Sequence, residues 1–227
     1  MGYGHFRLAS GDLAVVVDIK LGAQLQSDGY PANWDRYDRN VFYVGAGQFG
    51  FVTENGDVNR FAARFRAAAC YRGVNLEGYS ATTAAGYSAL CRVIFIWSAF
   101  EGFLHICGLD QRTVGPILNA RGALGVIEDI RRADIGGVFY GFIRDRVNAT
   151  HRRELDNFFN DDPCNVGYLA SAIRHIFAHG WLTPNANQVN SDTVLTVCNR
   201  LCDFLLEVMD REFECRVADG LDDLMRR

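Results

Sequence analysis

The stretch ALCRVIFIWSAFEGFLHIC, within residues 85–107, sets the tightest limit on how this chain can fold. Its apolar residues fall on every side of a helical wheel, so a helix here has no face to give to water and must be central. Gly108 is placed to stop it. A helix of that kind needs neighbours that each carry one apolar stripe, and the rest of the sequence supplies them. VNRFAARFRAAACYRG (Val58–Gly73) has helical spacing of apolar residues and a closing glycine. A weaker helix is expected near Val114–Ala133, a third over Gly137–Val147, and a short one near His151–Phe159. After the break at Asp161-Asp162-Pro163, a helix is expected over Val166–Gly180, stopped by Gly180 and Thr183-Pro184-Asn185. Ser191-Asp192 then caps a last long helix, with Val194, Val197, Leu201, Phe204, Leu205 and Val208 at i, i+3, i+4 spacing.

Residues 1–84 read differently. They are rich in Gly, Asn, Asp and Tyr, and LAVVVDIKL (Leu13–Leu21) has the β-branched content of a strand. Asn40–Asp57 mixes aromatics with glycines and ends in an Asn-Gly turn signal. The expectation is a mainly α protein: a helical domain over 85–227, preceded by an irregular, partly β region over 1–84.

Composition narrows the function. A chain of 227 residues with 49% hydrophobic and 22% charged residues can bury a full core unaided. Its net charge of -4 rules out a global basic field, so any nucleic-acid contact must come from a local cluster. Lys20 is the sole lysine, and every other basic side chain is arginine, a planar fork suited to phosphates. The seven cysteines are odd in number and form no CxxC pair, which fits reduced thiols buried in a cytoplasmic protein. Cys198 and Cys202 share a helix face, but no further metal ligands lie nearby in sequence. The start MGYGHFRLASGD lacks a basic region followed by an apolar run, and no run of 18 uncharged apolar residues occurs, so neither a signal peptide nor a membrane span is expected.

The sharpest chemical feature is IRHIFAHG, where Arg174 and His179 stand five positions apart near a helix end. A guanidinium can hold a phosphate through two parallel hydrogen bonds, and an imidazole can move protons near neutral pH. Together they can cleave RNA without a metal or other cofactor. Five helical positions turn the two side chains about 140° apart, so one copy alone holds a phosphate awkwardly. Two copies related by a two-fold axis would let paired helix ends line one cleft. Spacing alone is weak, because 22 arginines and five histidines produce about half an R-x4-H match by chance. A second match does occur, Arg146 and His151, beside the polar run HRRELDN, and reads as a solvated boundary. His175 and His179 are also an i, i+4 pair, but H-E-x-x-H is absent and no third metal ligand is evident.

In context, IRHIFAHG resembles the HEPN superfamily (higher eukaryotes and prokaryotes nucleotide-binding domains), whose motif is an arginine, a polar residue, three more residues and a histidine. The likeness runs from Ala85 to about Val217 and leaves 1–84 outside it. It implies a bundle of four to five helices, with the motif on a late helix. It implies a dimeric, metal-independent endoribonuclease, a toxin or antiviral-defence effector, leaving a 2',3'-cyclic phosphate. In that reading His179 is the general acid or base, Arg174 the phosphate clamp, and His175 orients the site. Glu101, alone in its apolar helix, would face the motif, unless it simply pairs with His105. Trp181 is placed to stack on a base, and Asn185 to line the cleft, although helix covering and turn chemistry account for them as well. Some members are inactive and bind nucleotides or protein partners, so regulatory or neutralising partners are the alternative.

Overall fold

In the computed structural model, which describes residues 29–185 and 189–226, the axis is α3 (Ala81–Cys107). Before it come α1 (Trp34–Val44) and α2 (Asn55–Cys70). After it come α4 (Gly115–Ala120), α5 (Ala123–Ala133), α6 (Val138–Arg144), α7 (Ala149–Phe159), α8 (Val166–Ala178) and α9 (Ser191–Met225). Short 3-10 turns lie at Ala46–Phe49 and Ile135–Gly137, and there is no strand among the described residues.

The all-round apolar pattern of α3 has the expected consequence: α2, α8 and α9 pack on its different sides. The helix is long and apolar enough to cross a membrane by length and composition. However, 61% of an 18-residue window of it is buried within the fold, and that burial is reason enough for its composition. Its start is capped by Ser80, whose Oγ accepts the Thr83 N–H at 3.2 Å. At Gly108 the chain turns left-handed, and the Leu109 N–H reaches back to the Leu104 carbonyl at 2.8 Å.

The mainly helical expectation holds, and the helices extend upstream of it. The helix expected over Val58–Gly73 is α2; upstream of it, from residue 29, α1 stands in place of the expected irregular, partly β layer, while the strand expected at 13–21 lies outside the described residues. Asn55-Gly56 is no hairpin turn: it opens α2, where the first N–H groups have no intrahelical partner to lose. The reason for helix over strand is the core. Trp34, Tyr37, Phe51 and Phe61 place their rings 5.4–5.9 Å from Phe213 of α9. Such pairs contribute about 0.5–1.5 kcal/mol each beyond burial. The single weak helix expected at 114–133 is two, because Gly122, with φ +92°, breaks it between α4 and α5.

The fold positions α8 at both ends. At its start Asn165 caps the helix, accepting the Gly167 N–H at 2.9 Å, and donates to the Gln111 carbonyl at 2.8 Å. Along its length Leu169, Ile173 and Ile176 are fully buried, with Ala170 and Ala172 between them allowing close approach. At its end Gly180 adopts φ +75°, and the Trp181 N–H closes on the Ile176 carbonyl at 3.1 Å. The chain then folds Pro184 onto Gly86 of α3, where a built Cβ would lie 2.6 Å from the proline, so only glycine fits there.

Ile173→Ala should therefore lower unfolding stability by about 2–5 kcal/mol. Urea denaturation should show a lower midpoint with an unchanged slope.

Candidate functional site

Four rings from two helices and one loop lie in a row. His151 of α7, then His175, His179 and Trp181, follow at centroid separations of 6.3, 4.5 and 5.9 Å. Tyr168 closes the inner end, edge-on to His151 at 5.4 Å. The row follows from helix geometry. Tyr168, His175 and His179 are spaced i, i+7, i+11, which puts them on one stripe of α8, turned roughly 80–140° from the buried Leu169, Ile173 and Ile176.

Arg174 stands at the other edge of the same exposed arc, about 140° from His179 at 100° per residue. Between them lies exposed Ala178. Arg174 is half-buried, and among the described residues its guanidinium has no hydrogen-bond or ion-pair partner. That contrasts with Arg146, which donates to the Phe142 carbonyl at 2.7 Å and lies 3.8 Å over the Phe142 ring. The two R-x4-H matches thus differ: one arginine is engaged and the other is open.

The sequence reading set His151 aside, and the structure brings it in. Its backbone N–H and its Nδ1 both meet Asn148 Oδ1 at 3.0 Å, and its Nε2 meets Ser171 Oγ at 2.9 Å. An amide oxygen only accepts, so these partners assign the proton to Nδ1 and leave Nε2 to accept from the Ser171 hydroxyl. The available signal was Asn-x-x-His at a helix start, an N-cap that also reaches a ring.

Burial pushes the His151 imidazole below its ordinary 6.5, and His175 adds to this while Glu154 opposes it. His175 is lowered by desolvation first, then by His179 and Arg174. Burial, with the neighbouring imidazoles and guanidinium adding to it, therefore keeps His151 and His175 neutral near pH 7, able to accept a proton rather than already holding one.

The other expected site residues separate. Glu101 is exposed and does not face the motif. Its neighbour Phe100 lies beside Gly167, at the start of α8, so Glu101 sits roughly 18 Å of helix rise from the His179 end. Nor does it hold His105, which turns to Asp57 of α2 at 3.7 Å. Asn185 is exposed, but both ends of its amide are engaged: Nδ2 donates to Thr83 Oγ1 at 3.2 Å and Oδ1 accepts from Ser191 Oγ. It ties the loop after α8 to the starts of α3 and α9. Trp181 is 55% exposed, enough to present a ring face. Among the described residues no group of three or more His, Cys, Asp or Glu is gathered as metal ligands. Cys198 and Cys202 lie in the core, and burial pushes the Cys202 thiol up to about 12.

Because folding lowers the basicity of His151 and His175, the unfolded chain binds more protons just below pH 6.5, and stability should fall as pH falls through that range. Tm measured from about pH 7.5 to about pH 5.5 should drop for the parent and drop less for His151→Gln. Comparison of the chain with protein-family models, with curated proteins and with solved structures gives no match in any of the three.

Proposed function

We propose that this chain is a metal-independent endoribonuclease, built on a HEPN-like motif and acting as a pair of copies, in the role of a toxin or antiviral-defence effector. The observation that carries the reading is the open Arg174 guanidinium on the same exposed arc as His175 and His179. A guanidinium without a partner, standing near imidazoles, is suited to an incoming phosphate.

In this reading the His179 imidazole takes the proton of the RNA 2'-hydroxyl. The 2'-oxygen attacks phosphorus in line, and the bond to the 5'-oxygen breaks. The leaving 5'-oxygen takes a proton from water, the hydroxide so formed is neutralised by the proton held on His179, and the products are a 2',3'-cyclic phosphate and a 5'-hydroxyl. Arg174 steadies the charge on the phosphate oxygens, His175 orients His179, and Trp181 offers a stacking face to a base. The 140° between Arg174 and His179 is the reason for a second copy, whose arginine would complete the site opened by the first copy's histidine.

A second reading has its own support. The net charge is -4, and Arg144 and Arg152 beside the row are engaged, the first with Asp156 and the second with the Arg144 and Val147 carbonyls. That leaves little positive field to draw a long RNA, and favours an inactive domain that binds a nucleotide or a protein partner.

Arg174→Ala and His179→Ala should each reduce RNA cleavage by about 10²–10⁴-fold with the fold intact, in the presence of EDTA. Mixing the two variants should restore part of the activity, since a mixed pair contains one complete composite site. Cleavage by both variants at the parental rate would sink the nuclease reading.

A further inference from the structure

We infer that His151 is a positioning residue of this site: it acts on the RNA-facing rings through His175 rather than by touching the substrate. The inference rests on the nuclease reading for its purpose, but on separate contacts for its substance. Three of the five histidines in the chain fall in one row, and His151 is the only one of the three contributed by α7.

Its two ring nitrogens are spoken for, Nδ1 by Asn148 and Nε2 by Ser171, which is itself only 7% exposed. A ring tied at both nitrogens cannot hand a proton to RNA without breaking a bond to the fold. It can, however, hold its neighbour. The His151 and His175 planes lie 21° apart, and His175 in turn meets His179 edge to face at 66°. The order of the row is therefore anchor, intermediary and working group, with each ring limiting the orientations of the next.

The charged and titratable groups around the row agree with that order. On α8 they are Tyr168, Arg174 and His179; on α7 they are His151 and Glu154, the latter accepting the Asn165 N–H at 3.1 Å. Charge on His175 lowers the basicity of His151, so proton uptake at His175 is felt at His151. A neutral inner ring thus favours taking the proton at the outer end, where substrate would lie.

The test reads histidine ring protons by NMR across pH in the full chain. In His151→Gln, the His175 ring signals should lose their single orientation. The reciprocal variant His175→Gln changes a half-exposed surface residue, and should move the His151 titration upward with the fold retained. Cleavage assays on the same proteins should show the acidic limb of the pH profile displaced in His151→Gln, with kcat reduced more than KM is changed. If the His175 ring signals keep the same line shape in the parent and in His151→Gln, and the His151 titration is unmoved in His175→Gln, the inference is overturned. The two readings fail separately: a parent chain that cuts no RNA removes the nuclease, while unmoved titrations remove the coupling whatever the chain cuts.

Discussion

The seating of α8 on α3 is the contact on which the rest of the molecule's chemistry depends. Leu169, Ile173 and Ile176 are fully buried there, and each contributes about 1.5–3 kcal/mol by leaving water. Because those three residues point inward, Arg174, His175 and His179 have no choice but to point outward. The two ends of the helix are pinned independently, by Asn165 at the start and by Gly180, Pro184 and Asn185 at the finish. The exposed arc therefore does not roll, and groups of opposite chemical character hold fixed places on it.

The arrangement also has a cost that the fold absorbs locally. The row ends at a helix C-terminus, where the dipole favours positive charge, while burial and like-charge crowding disfavour it on His151 and His175. Burial and repulsion prevail on the inner rings. The outermost ring, His179, is exposed to water and stands next to an exposed indole. An unpartnered guanidinium and neutral imidazoles can persist together because the carboxylates of this region are turned elsewhere: Asp156 to Arg144, and Glu154 to the Asn165 N–H.

Much of this was legible along the chain. The central helix was legible because apolar residues on every side of a wheel allow one reading, and α8 was legible because its stripe and its Gly180 stop lie close together in sequence. The pairing of Arg174 with His179 was legible as a spacing. Helix α2 was legible too, from the apolar spacing of Val58–Gly73, but α1 was not, because it owes its form to Trp34 and Tyr37 packing around Phe213, more than 150 positions away. Glu101 misled for a related reason: a lone acid in an apolar helix invites burial, yet the wheel leaves one narrow side to water and Glu101 is on it.

The sequence by itself determined that the protein is helical, where its central helix lies, and that an arginine and two histidines share the end of a late helix. These are short-range matters, decided by periodicity and by residues a few positions apart. Only the tertiary structure decided that Arg174 is open while Arg146 is engaged, that Glu101 stands at the wrong end, and that His151 joins the row. Each of those depends on which helix lies alongside which, and that is settled by burial summed over the whole core rather than by any local pattern.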